Sequence, residues 1–225
     1  MHELNSLLTI LMDHLTGRSI PDYFVMMAFV MIVTLAAFWI GTRRLSVDKP
    51  GVFQQILELL TETVAKFLDD IIGHGARRFM APIGTFTVLI LISNLLGLIP
   101  GFMPPTGNII VTFSLALCSF VVYNFYGVKA QGFGYIKHFM GPFALLAPLF
   151  FPIEIISHIA RPLSLGIRLF GNIFGDHQVS GVFLHLVPIV VPVPFILLGI
   201  LVAFIQTLVF ALLSMIYIAG AVEHH

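Results

Sequence analysis

The sequence predicts an all-α integral membrane protein: five transmembrane helices, plus one amphipathic helix on the membrane surface. Three observations carry that expectation. Of 225 residues, 58% are hydrophobic and 10% charged, where soluble domains carry about 25% charged residues. Mean hydropathy is +1.02. Apolar runs long enough to cross a bilayer recur, divided by Pro, Gly and basic residues. With no water to satisfy the backbone inside a bilayer, such runs form helices. Residues 1–225 read as a single membrane domain, without repeats or linkers.

The first twenty residues hold no cleavable signal. Leu4, Leu7, Leu8, Leu11 and Leu15 suggest a short amphipathic helix. Tyr23 to Ile40 is the first span, closed by Gly41, Thr42, Arg43 and Arg44, with Lys49 beyond; Arg18 is the only basic residue before it. The excess of basic residues after the span places the N-terminus outside and Arg43 in the cytoplasm. From Gly51 to Gly73, Val52, Phe53, Ile56, Leu59, Leu60, Val64, Phe67, Leu68 and Ile71 repeat at helical spacing. Glu58, Glu62, Lys66, Asp69 and Asp70 take much of the other side. That pattern is an amphipathic helix on the cytoplasmic surface, or one docked on a soluble partner.

Arg77 and Arg78 mark re-entry. Phe79 to Ile99 is the second span, and Pro100, Pro104, Pro105 and Gly107 make an external turn. Ile109 to Tyr126 is the third span, ending near cytoplasmic Lys129 and Lys137. Asn94 and Asn124 lie in or near these spans. The fourth element, Phe143 to Val187, would be about 67 Å long as one helix, over twice the hydrocarbon core. It must tilt steeply or break, and Pro148, Pro152 and Pro162 permit bends. Prolines 188, 192 and 194 make the next turn, and a last helix runs from about Phe195 to Ala221. It forms a long tilted antiparallel hairpin with the fourth. The C-terminus is then cytoplasmic.

The fourth element carries the chemistry. Glu154, Ser157, Arg161, Ser164, Arg168 and Asn172 line one stripe of a helix, His158 and Asp176 sit at its edge, and His177 is opposite Arg168. An arginine at a bilayer centre costs about 2.5–3.5 kcal/mol on insertion scales, so these groups must face protein or water. Arg161 pairs with Glu154 two turns away or belongs to a polar pathway. On the last helix, Gln206 is the clearest polar side chain. A turn near Pro188 puts it opposite Arg168; a turn near Pro192 does not.

Other classes are excluded or weaker. Zero formal charge gives no case for nucleic acid, and lone Cys118 in an apolar run forms neither disulfide framework nor cysteine metal site. No nucleophile–base pair, phosphate loop, cofactor motif or metal-ligand cluster is present. His74 and His138 read as loop residues, His185 as an interfacial histidine or a relay, and His224 with His225 as an incomplete metal set. A small secondary transporter or ion channel is the alternative reading, although one polar seam replaces the midplane pocket and inverted repeat of that class.

The segment RPLSLGIRLFGN (Arg161 to Asn172), with SNLLGLIPG (Ser93 to Gly101) and FIQTLVFALLSMIYIAGAVEHH near the C-terminus, resembles subunit a of the F-type ATP synthase. The resemblance implies a non-nucleotide-binding stator subunit without cofactor or metal, in a bacterial inner membrane. Its partners would be the lipid bilayer, peripheral-stalk membrane subunits and a rotor ring with mid-membrane carboxylates, and its cargo H⁺ rather than Na⁺. It implies that Arg168 is the essential cation facing those carboxylates and that Gln206, a proton-pathway residue, is its neighbour. Two offset half-channels follow: Glu154, Ser157 and His158 toward the cytoplasm, and Asn172, Asp176 and His177 toward the outside. Arg161 and Asn94 are structural or pathway residues. Many members carry an acid where His177 stands and a histidine where Gly199 stands, so His177 beside Asp176 is the expected relay here.

Overall fold

The computed structural model describes residues 7–16, 21–43, 46, 50–73, 75–99, 102–132, 135, 147–186 and 192–222. Regular structure among them is helical: α1 (Leu7–Thr16), α2 (Asp22–Arg43), α3 (Val52–Ile72), α4 (Met80–Leu96), α5 (Ile109–Gln131), α6 (Ala147–Leu186) and α7 (Pro192–Val222), with 3-10 turns at Ala76–Phe79 and Pro105–Gly107. Arg18, Arg44, Lys49, His74, Pro100, Gly101, Lys137, His138, Pro188, His224 and His225 lie outside the described residues, as do residues 143–146 and the side chain of His185.

Four segments are long and apolar enough to cross a membrane: Asp22–Gly41, Ala76–Leu96, Ile109–Gln131 and Ile196–Val222. Helix α6 is not among them, since Glu154, Arg161, Arg168 and Asp176 punctuate it. It stays helical through Pro152 and Pro162 for 40 residues. Expected bounds shift by a few residues where local caps act. Helix α5 starts at Asn108, whose side chain accepts from the Ile110 N–H, and runs past Tyr126 to Gln131. It stops at Gly132, whose φ of 56° suits glycine. Gly73, at φ 78°, ends α3 in the same region of backbone space while its N–H bonds the Asp69 carbonyl.

Helix α7 is the hub, packed by α3, α4, α5 and α6. One core gathers Val64, Leu68, Phe79, Ile83, Tyr123, Met215 and Ile218. The second joins Ile90, Leu115, Leu165, Leu169, Ile173 and Phe210. Outward faces remain apolar, as Leu35, Trp39 and Ile40 on α2 and Leu197 and Leu201 on α7 show. Helices apolar all round are those of a membrane interior.

Burial adds two details. The face of α1 differs: Leu11 is exposed while Thr9 is buried, because the Thr9 hydroxyl hydrogen-bonds the Asp22 carboxylate. The turn after α4 is packed against the bundle. Pro104, Pro105 and Thr106 are buried, since the 3-10 turn folds back onto α4, α5 and α6. In α3 only Val64 and Leu68 are buried, and Val52, Phe53, Ile56 and Leu59 stay exposed.

Candidate functional site

The α6–α7 hairpin positions the polar groups. Asn172 Nδ2 donates to Gln206 Oε1 at 2.5 Å. Nearer the turn, Asp176 Oδ2 lies 3.0 Å from where a Cβ on Gly199 would stand. Both pairings belong to the register that brings Gln206 to the Arg168 end of α6, not to the one in which Ile216 would face Arg168. Gln206 itself is buried and bonds Asn172, one turn from Arg168.

Packing determines where Arg168 points. Leu165, Leu169 and Ile173 are buried in the second core, and Gly166 lets Phe113 of α5 approach closely, 3.3 Å from where its Cβ would be. With that stripe locked inward, Ser164, Arg168 and Asn172 fall on the exposed side. Arg168 makes no hydrogen bond or ion pair with any described residue. A guanidinium on an outward helix face is available to a partner outside this chain.

Toward the hairpin turn, a second group collects. His177 Nε2 lies 3.0 Å from the site of a Cβ on Gly97, which also touches Pro104. Three residues earlier, one turn back on α4, Asn94 Oδ1 accepts from the buried Thr106 hydroxyl at 2.7 Å. Asn94 is 3% exposed, and its Nδ2 has no hydrogen-bond partner among the described residues. An unmet buried donor costs about 1–3 kcal/mol. Asp176 and His177 diverge, one toward α7 and the other toward α4.

Away from the turn, α6 meets α5 in a network. Buried His158 bonds Asn124 Oδ1 through Nε2 at 2.9 Å, and the Tyr135 hydroxyl donates to the same oxygen at 2.9 Å. The Tyr123 hydroxyl lies 3.3 Å from His158 Nε2, and Asn124 Nδ2 donates to the Phe120 carbonyl at 2.7 Å. Burial holds the Tyr135 hydroxyl above its usual pKa, against the pull of the Arg161 charge, so it stays a neutral donor. Arg161 Nη2 is 3.6 Å from Glu154 Oε1, and its guanidinium lies 5.5 Å over the Tyr217 ring. Ser119 and Ser214 hydroxyls bond at 2.9 Å, tying α5 to α7.

The single polar stripe expected on α6 therefore divides. Ser157, Ser164, Arg168 and Asn172 are exposed, Glu154 and Arg161 half-buried in an ion pair, and His158 buried in the α5 contact. The stripe's edge at His158 is what α5 covers. Sequence reasoning missed Tyr123, Tyr135 and Thr106. For Tyr123 an adjacent Asn124 inside an apolar run was a signal; for Tyr135 and Thr106, in connecting segments, there was none. Cys118 is exposed on α5, and no three His, Cys, Asp or Glu side chains gather as a metal set among the described residues.

Comparison with known proteins gives a consistent result. The family model described as ATP synthase A chain matches residues 24–219. "ATP synthase subunit a 1" of Syntrophotalea carbinolica is 48% identical over 194 residues, covering 86% of this chain and 82% of that protein. "ATP synthase subunit a" of Trichlorobacter lovleyi is 45% identical over 194 residues, 86% and 84% of the two chains. That of Bdellovibrio bacteriovorus is 50% identical over 170 residues, 75% and 74% of the two. A match over nearly the whole chain, and identities of this size over most of each relative, place this protein in the ATP synthase A chain family.

Proposed function

We propose that this chain is the proton-translocating stator subunit of a rotary ATP synthase in a bacterial inner membrane. The observation that carries the reading is Arg168: a permanent cation on the exposed face of a long helix, with no partner among the described residues. Pairing it inside this chain would hide it. Displayed outward, it suits carboxylic acids that pass on a rotor ring. A guanidinium within about 4–6 Å of a carboxylic acid lowers its pKa by roughly 1–3 units, so each passing acid discharges its proton there. Away from it, in lipid, the acid is neutral. The fixed charge also blocks a continuous water path, so protons cross only on the ring.

In this reading α6 is a fifth, steeply tilted crossing, and residues 1–225 form one membrane domain. Helix α3 lies at the cytoplasmic surface. The N-terminus is outside and the C-terminus inside. Asp176, His177 and Asn94 serve the external half-channel with Asn172, and the free Asn94 Nδ2 is a donor for water there. Glu154, Ser157 and His158 serve the cytoplasmic one. The Asn124 bond to His158 Nε2 holds that histidine at the channel wall. Gln206 orients Asn172 one turn from Arg168, and Arg161 holds Glu154. Peripheral-stalk subunits and the ring complete the complex. The ion is H⁺, and nucleotide chemistry belongs to other subunits. An enclosed transporter site is disfavoured, because Arg168 points out of the bundle rather than into it.

The test is Arg168→Ala in the assembled complex. ATP synthesis driven by a proton gradient should fall to background, a loss of at least about 100-fold, the size seen when even one preorganised hydrogen-bond donor is deleted. Copurification of the ring should persist. Synthesis near the parental rate with alanine at 168 defeats the proposal.

A further inference from the structure

We propose that the cleft between α3, α4 and α7 holds an acyl chain of a glycerophospholipid whose phosphate is bound by Arg78. The cleft is open on one side and has a volume of about 140 Å³. Three threonines line it, yet none offers a polar group. The hydroxyls of Thr63, Thr87 and Thr207 are spent on the carbonyls of Leu59, Ile83 and Ala203, at 2.7, 2.8 and 2.7 Å. Only their methyls face inward. An apolar cavity of this size stays dry and takes apolar guests; left unfilled, its lining forfeits dispersion contacts. Phe204 and Leu208 on its wall are 49% and 40% exposed, on a helix of bilayer-crossing length, so the mouth opens where lipid chains lie.

Charge supplies the other end. The link between α3 and α4 carries Arg77 and Arg78. Arg77 reaches Asp69 at 3.7 Å, and Lys66 takes Glu62 at 3.1 Å. Arg78 makes no carboxylate pair among the described residues; its guanidinium lies 4.6 Å over the Phe79 ring. Asp70 is the remaining acid of this region and is exposed on α3. Phe79 is fully buried in the core that includes Val64, Ala211 and Met215, which also line the cleft. The ring under the guanidinium thus belongs to the same core that forms one wall of the cleft. From Arg78 to Thr87 is about 13 Å along the helix, and one leaflet of hydrocarbon is about 15 Å deep. A phosphate at Arg78 therefore places its own acyl chain in the cleft. Basic sites at cytoplasmic helix ends take anionic headgroups, and the α3–α4 link is cytoplasmic in the topology proposed above. The role of Arg168 does not enter.

The experiment uses the assembled complex in nanodiscs of phosphatidylethanolamine and phosphatidylglycerol, the latter carrying a diazirine near its chain end. After irradiation, labelled peptides are mapped by mass spectrometry. Label should concentrate on residues 60–67 and 204–215 over residues 35–40 of α2. Arg78→Gln should lower cleft labelling about fivefold, the worth of one basic side chain at an anionic surface, while Arg78→Lys keeps it. Leu208→Trp, which plugs the mouth without touching charge, should lower it too. Equal labelling of α2 and the cleft, or cleft labelling unchanged by Arg78→Gln, overturns the proposal. Because none of these readouts involves proton flow, they stand or fall separately from the test at Arg168.

Discussion

At Gly199 an added Cβ would stand 2.5 Å from Leu98 Cδ2 and 3.0 Å from Asp176 Oδ2. The carboxylate of α6 uses space that a side chain on α7 would fill, so a polar group on one helix excludes one on the other. Gly199→Ala should destabilise the folded subunit by about 1–3 kcal/mol, the usual cost of overpacking. Thermal inactivation of the complex measures it, and Leu98→Ala in the same chain should recover most of the loss. Thr106 gives a second case. Its hydroxyl is the sole described donor to Asn94 Oδ1, while Asn94 Nδ2 is unpaired. Thr106→Val keeps the shape and should cost about 1–3 kcal/mol by the same assay, because it orphans a buried carbonyl oxygen. An unchanged inactivation temperature would show that the amide finds another partner.

Among the elements, the α6–α7 hairpin matters most, and its register is testable by chemistry. In a Cys118→Ser background, Asn172→Cys with Gln206→Cys should cross-link with a short bifunctional reagent. Arg168→Cys with Ile216→Cys, the pair that a fold about Pro192 would join, should not. The opposite result reverses the register. The reason lies in side-chain sizes along the contact. Gly199 of α7 admits Asp176 of α6, and the Asn172–Gln206 bond is buried on its α7 side. A shift of eight residues would set Thr207 against Asp176 in place of Gly199. Proline spacing alone left both registers open.

For the whole molecule, the orientation proposed from basic residues predicts a labelling pattern. In the same cysteine-free background, Lys129→Cys should react with an impermeant maleimide only in inverted vesicles, and Met103→Cys only from the opposite side. Both positions are exposed; reaction of Lys129→Cys from the outside would invert the topology. Composition and apolar run length, by themselves, determined that this chain is a helical membrane protein and where its helices lie, because bilayer thickness and backbone satisfaction permit few alternatives. Periodicity also made Arg168 and the Glu154–Arg161 pairing legible, since those depend only on spacing along one helix. Only the tertiary structure decided which of the polar groups turn inward. His158 meets Asn124 and Tyr123, Asp176 meets Gly199, and the prolines after α4 fold into the bundle. Each of these depends on what a second helix presents opposite, and a periodicity along one segment carries no record of its neighbour.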